Sequence, residues 1–131
     1  MSEAQTSERE LFALRLSAAG WDDGGWGELF ASGVSLTPEA QADYRNADFD
    51  MRLGYFADEG YVRFECARRE DGLAELCLRC YPRRGLAELL DALAAAQDSL
   101  SRESYPEFVK GLVQLCDPLL METPDGLFQL S

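Results

Sequence analysis

The amino-acid sequence predicts an α+β fold, with helices and strands in separate stretches of the chain. Between residues 51 and 81, apolar and polar residues alternate with a period of two, which is typical of antiparallel strands. On both sides of this stretch, apolar residues recur at helical spacing. The chain has 131 residues, 47% of them hydrophobic, which is enough for one core and predicts a single domain over 1–131.

N-terminal helices are predicted first. A serine–glutamate capping pattern precedes an apolar face that indicates a helix over 8–19, ended by Gly20. A glycine-rich connector carrying both tryptophans follows, and then a short helical turn over 26–32. Thr37 before Pro38 has the form of an N-cap followed by the first helical residue, which predicts a second helix over 38–47.

The alternating stretch predicts a three-stranded antiparallel meander. Its strands lie near 51–56, 61–66 and 75–81, and turns ending in Gly60 and Gly72 join them. If helices cover one side of this meander, the charged and aromatic side chains of the other side are expected to face solvent.

The C-terminal part is predicted to contain two helices and a hairpin. Leucines at helical spacing indicate a helix over 86–100, and a second apolar face indicates one over 105–116 that Pro118 stops. Thr123-Pro124-Asp125-Gly126 is a turn between two apolar runs, which predicts a hairpin over 119–130 that can join the meander.

Histidine is absent from the sequence, which bears directly on enzymatic function. Without it, Ser-His-Asp and Cys-His catalysis, histidine-ligated zinc and the usual general base near neutral pH are excluded. The sequence also has no Walker-type phosphate loop and no dinucleotide-binding glycine motif. We therefore predict no catalytic residues, no cofactor and no enzymatic activity.

The four cysteines include a CxxC pair, Cys77 and Cys80. A zinc knuckle needs both thiolates on a tight turn, whereas residues three apart in a strand face opposite sides. Cys66 and Cys80 fall in phase with apolar residues and are predicted to lie in the core. No metal site is predicted, and the thiols are expected to be reduced.

The net charge of −12 favours some partners over others. Phosphate binding depends on Lys and Arg, so direct binding to nucleic acid is not expected, nor is binding to an anionic membrane. The polar, acidic N-terminus does not resemble a secretory signal, which predicts a cytoplasmic protein. The acidic residues suit a basic protein partner.

These observations lead to the hypothesis of an acidic protein-binding module, specifically a bacterial immunity or inhibitor protein. Such a protein would neutralise a toxin domain by binding its basic active-site region, with fast, electrostatically steered association. Candidate partner-binding residues are acids near the tryptophans, acids at the start of the meander, and outward positions of the meander. They are Trp21, Asp22, Asp23, Trp26, Glu28, Asp48, Asp50, Arg63, Arg79 and Tyr81.

Three alternatives accompany this hypothesis. A secretion effector chaperone would be a homodimer, and the leucine-rich helix over 86–100 could form its seam. A nucleic-acid-mimic anti-defence protein would need carboxylates spaced like phosphates along one face. The third alternative is an enzyme with a carboxylate or cysteine centre. The acidic pairs could in principle hold Mg²⁺ or run acid–base chemistry, but they lie in predicted turns or helix ends, where Asp caps backbone amides.

Overall fold

A computed structural model describes residues 8–23 and 40–130 of the chain. Within these ranges the protein has three helices, α1 (Glu8–Ala18), α2 (Leu86–Ala96) and α3 (Tyr105–Leu115). It also has seven strands, β1 (Asp22–Asp23), β2 (Ala40–Arg45), β3 (Phe49–Phe56), β4 (Tyr61–Arg68), β5 (Ala74–Pro82), β6 (Cys116–Thr123) and β7 (Gly126–Gln129).

The strands form one antiparallel sheet in which spatial order equals chain order, from β1 to β7. The predicted meander is its centre, β3–β4–β5, with positive-φ glycines in both connecting turns, Gly60 and Gly72. The predicted C-terminal hairpin is β6–β7, which joins the sheet because β6 pairs with β5. The α+β class is therefore confirmed, with a larger sheet than the sequence predicts.

The predicted helix over 38–47 is wrong, because residues 40–45 form strand β2. Pairing with β3 places Ala42 opposite Leu53 and leaves Ala42 only 4% exposed, so the segment gains backbone partners and core burial together. These tertiary contacts override the modest local preference of alanine and glutamine for helix. The predicted helical turn over 26–32 lies outside the described residues.

The helices cover one side of the sheet, here called the core face, and the opposite side is called the outer face. Phe12 of α1 stacks on Tyr55 of β3, and Phe108 of α3 packs against Phe64 of β4 with ring centroids 5.5 Å apart. The four inward leucines of α2 are at most 4% exposed. The chaperone alternative would use these leucines as a dimer seam, and they lie in the core of the chain itself.

None of the helices in the described ranges has the length and apolar character needed to cross a membrane.

Candidate functional site

Four charged side chains from three neighbouring strands meet on the outer face: Arg63 and Glu65 of β4, Arg79 of β5 and Glu122 of β6. They are called the ion cluster below. The register puts Arg63 directly opposite Arg79, an arrangement of like charges that is unfavourable by itself. Glu122 of β6 offsets this repulsion, because its carboxylate accepts hydrogen bonds from both arginines.

Glu122 is held by both arginines. Its Oε2 atom accepts hydrogen bonds from Nε of Arg63 and from Nε of Arg79, each at 2.8 Å. Its Oε1 atom accepts a second bond from Nη2 of Arg63 at 3.2 Å, so that pair is bidentate. Nη1 of Arg63 lies 2.8 Å from Oε2 of Glu65, so one guanidinium contacts both carboxylates.

The ion cluster is largely buried. The side chains of Arg63, Glu65 and Glu122 are only 5–6% exposed, whereas that of Arg79 is 20% exposed. Burial raises the pKa of Glu65, and Arg63 offsets this only in part. Burial also acts to raise the pKa of Glu122, but hydrogen bonds from Arg63 and Arg79 outweigh it and hold that pKa below its ordinary value.

Burial of Arg63 and Glu65 corrects the expectation that outward meander positions are solvated. Long side chains on adjacent strands pack against one another and neutralise each other, so a whole strand can be buried on both faces. Residues 61–66 of β4 are all buried. Oε1 of Glu65 has no hydrogen-bond partner among the described residues, which is an unusual state for a buried carboxylate oxygen.

An aromatic cluster borders the ion cluster. Tyr61 stacks on Phe56 and packs against Tyr81, with ring centroids 5.0 and 5.2 Å away. The guanidinium carbon of Arg79 lies 5.1 Å from the centre of the Tyr61 ring, within the range of a cation–π interaction. Arg79 is therefore held between a carboxylate and an aromatic ring.

A pocket of about 610 Å³ opens beside the ion cluster. The cluster and Cys77 form its polar lining, and the β6–β7 hairpin contributes apolar atoms from Pro124 and Leu127. Leu127 is 48% exposed, so this wall stands at the surface. The volume is in the range of small-molecule sites, about 300–1,000 Å³.

A second feature lies at the β1 end of the sheet. The register places Asp22 directly opposite Asp43, and this carboxylate pair is called the acidic edge. Arg52 of β3 is the next residue across the sheet, opposite Asp43. Sequence reasoning identified Asp22 but missed Asp43, because residue 43 fell within the segment predicted as helical.

Five of the predicted partner-binding residues lie on the outer face. Strand alternation and register place them there, opposite the buried apolar residues of the same strands. They are Asp22, Asp50, Arg63, Arg79 and Tyr81. The structure therefore brings residues from four strands to one side of the sheet, although Arg63 is buried and Asp50 pairs with Arg45 at 2.6 Å.

The remaining candidates are scattered. Trp21 is 5% exposed on the core side and donates its indole N–H to Gln97 at 2.5 Å, so the expected partial exposure of this residue is wrong. Asp48 is half-buried in the β2–β3 connection, where its Oδ2 accepts from the backbone N–H of Arg102 at 3.3 Å. Asp23 belongs to β1, but its side chain lies outside the described part, as do Trp26 and Glu28.

Sequence reasoning also missed Glu122, the acid that joins the two arginines. It was visible only as one carboxylate in an otherwise apolar strand of the predicted hairpin. Its separation from Arg63 is 59 residues, so no local pattern connects the two.

All four cysteines are free thiols. Cys66 and Cys80 are at most 1% exposed on the core face, which confirms their predicted place, and Cys77 lies half-buried on the outer face. Within the described residues, no group of three or more His, Cys, Asp or Glu side chains is arranged to hold a metal ion.

Cys77 is expected to react slowly with thiol reagents even though it lines the pocket. Burial raises its pKa to about 12, and the thiolate is the reactive form. At pH 8, we expect its alkylation by iodoacetamide to be at least about 100-fold slower in the folded chain than in urea, since few thiolates form. Peptide mass spectrometry resolves the rate for Cys77. Equal rates in both conditions would contradict this expectation.

Comparison with known proteins gave no matching family model, no matching curated protein and no matching solved structure.

Proposed function

We propose that this chain is an immunity-type inhibitor, which neutralises a toxin domain by binding a basic region around that domain's active site. The observation that carries the proposal is that ion pairs within the chain involve a larger fraction of its basic side chains than of its carboxylates. Among the described residues, seven of the chain's twelve basic side chains form ion pairs, and these occupy eight of its 24 carboxylates.

This imbalance favours a cationic partner. The charges of these ion pairs nearly cancel, so the excess of acidic charge in the sequence, 24 acids against 12 basic residues, is carried almost entirely by the rest of the chain. A surface of this kind attracts a basic protein over long distances and speeds association.

The acidic edge is where we place the contact. Like charges directly opposite each other on paired strands are destabilising, and the register places Asp22 directly opposite Asp43. A lysine or arginine from the partner would relieve the repulsion between Asp22 and Asp43. The chaperone alternative has less support, because the leucines that could form its dimer seam are buried in the chain's own core.

The test is a charge reversal measured against a basic protein encoded by an adjacent reading frame. We expect a one-to-one complex whose affinity falls as salt rises. The double variant Asp22→Lys/Asp43→Lys should bind at least about tenfold more weakly, mainly through slower association. Surface plasmon resonance at two salt concentrations measures both quantities.

A matched control changes the net charge equally at another place. Glu103 and Asp117 are exposed acids, and Glu103→Lys/Asp117→Lys alters the total charge by the same amount. Affinity lost equally in both double variants would remove the acidic edge from the proposal. Absence of any salt-dependent complex with the neighbouring product would overturn the inhibitor function itself.

A further inference from the structure

We infer that the pocket beside the ion cluster binds an organic carboxylate that carries a compact apolar group. This inference goes beyond the inhibitor function and does not depend on it, since the pocket and the acidic edge are separate parts of the outer face.

The pocket has the size and walls of a ligand site. Its volume of about 610 Å³ accommodates a small molecule or the last residue of a peptide. Ala74, Pro124 and Leu127 give it an apolar side, and the ion cluster gives it a charged side. A ligand that fits must therefore be polar at one end and apolar at the other.

Charge within the ion cluster is balanced in total but distributed unevenly. Arg63 binds Glu122 with two hydrogen bonds and also contacts Glu65, so both carboxylates are committed mainly to Arg63. Arg79 shares only Oε2 of Glu122. Of the two arginines, Arg79 is therefore the one with fewer contacts to the carboxylates of the cluster.

Arg79 is also the member that a ligand can reach. Its side chain is 20% exposed, compared with 5–6% for the other three. The one hydrogen bond that it makes within the described residues uses Nε, so neither terminal nitrogen donates there. Tyr61 lies against the guanidinium and limits its movement. Two N–H groups of a planar, positioned guanidinium match the two oxygens of a carboxylate.

Cys77 does not change this assignment. Its pKa of about 12 keeps it a neutral thiol near neutral pH, so it adds no negative charge against an anionic ligand. A neutral thiol is also a poor nucleophile, and the site is therefore one of reversible binding.

The probe is N-acetyl-leucine, which combines a carboxylate with an apolar side chain and resembles a peptide C-terminus. Its matched control is N-acetyl-leucine amide, which has nearly the same shape and no charge. Both are titrated into the full chain by two-dimensional NMR at an ionic strength of about 0.15 M, where salt screens the repulsion from the net charge. We expect saturable shifts around β5 and the hairpin, and at least about tenfold weaker binding of the amide.

A third titration, with 4-methylpentanoate, distinguishes the possible sources of the carboxylate. Binding as tight as that of N-acetyl-leucine indicates a free small acid, whereas much weaker binding indicates a peptide terminus. Either result keeps the carboxylate site. Equal affinity for the acid and its amide, or no saturation with any of the three probes, would overturn it.

Two variants locate the site. Arg79→Gln should weaken N-acetyl-leucine binding at least about tenfold, and Arg84→Gln, at an exposed position outside the pocket, should leave it unchanged. Leu127→Asp covers the case in which Arg79→Gln does not fold, because Leu127 is half-exposed and its replacement puts a repelling charge in the wall. Leu14→Asp is the matched control for Leu127→Asp, because Leu14 is an exposed leucine on α1 outside the pocket, and this change should leave binding unaltered. Binding that survives both pocket variants would exclude the site.

Discussion

Glu122→Gln is expected to lower the free energy of unfolding by about 3 kcal/mol, which is the lower end of the cost of removing one partner from a buried ion pair. The glutamine keeps the shape of the side chain but loses its charge, and Arg63 and Arg79 then face each other across β4 and β5 without the carboxylate between them. Urea denaturation at pH 7 measures the change.

A control variant shows whether the loss of stability comes from the burial of the ion cluster or from the loss of any ion pair. Glu107 and Lys110 form a pair at 3.6 Å whose side chains are more than three-quarters exposed. Exposed pairs contribute little, so Glu107→Gln should change the free energy of unfolding by less than about 0.5 kcal/mol. Similar losses in the two variants would mean that the ion cluster has no special role in stability.

The pH dependence of Glu122→Gln has a defined sign. The folded pKa of Glu122 is below its ordinary value of 4.5, so its carboxylate contributes stability above pH 4.5 that is lost as pH falls through the lower folded pKa. The difference between wild type and variant should therefore shrink between pH 5 and pH 3, about the interval in which the carboxylate takes up its proton. A constant difference would contradict the depressed pKa.

The contribution of Glu65 to stability changes with pH in the opposite direction. Its folded pKa is raised by burial, so the stability that it contributes is present below its unfolded pKa and is lost as pH rises through the folded value. The two glutamates of the ion cluster thus act in different windows, Glu122 below pH 4.5 and Glu65 above it.

The second large effect is expected at Asn46, between β2 and β3. Its amide nitrogen donates to the carbonyls of Gln97 and Leu100 at 2.9 and 2.8 Å, after the end of α2. Its amide oxygen accepts from the backbone N–H groups of Asp48 and Phe49 at 2.8 and 2.9 Å. One side chain therefore satisfies four backbone groups and ties the sheet to the helical layer.

Asn46→Ala should lower the free energy of unfolding by about 2–4 kcal/mol, because each of the four hydrogen bonds contributes roughly 1 kcal/mol and their backbone partners stay largely buried. Ser99→Ala provides the comparison, since the Ser99 hydroxyl makes one long bond of 3.4 Å at an exposed position. Chemical denaturation of both variants measures the two changes in the free energy of unfolding. An Asn46→Ala loss as small as that of Ser99→Ala would show that water replaces these bonds.

Much of the fold follows from local patterns. Alternation over 51–81 predicts β3, β4 and β5, and helical spacing predicts α1, α2 and α3 close to their observed bounds. These patterns are reliable because burial of one face imposes a period of two on a strand and about 3.6 on a helix. The turn before β7 also has the residues expected there, with Gly126 at positive φ and the Thr123 hydroxyl hydrogen-bonded within the turn.

Strand β2 and the ion cluster could not be predicted in this way. The β2 sequence is as compatible with a helix as with a strand, and only the neighbouring edge of β3 decides between them. The outer-face arginines look like solvated strand residues, because the sequence does not show that Glu122 lies within reach of both.

By itself, then, the sequence determined the α+β class, the central meander, the helices around it, the strong acidity and the absence of histidine chemistry. Tertiary structure alone decided that Asp22 faces Asp43, that Arg63 and Glu65 are buried, and that Arg79 is the accessible charge beside a pocket. The reason is the separation along the chain of the residues that interact. Periodicity and composition are properties of neighbouring residues, whereas charge pairing and burial depend on the register of strands far apart in the chain.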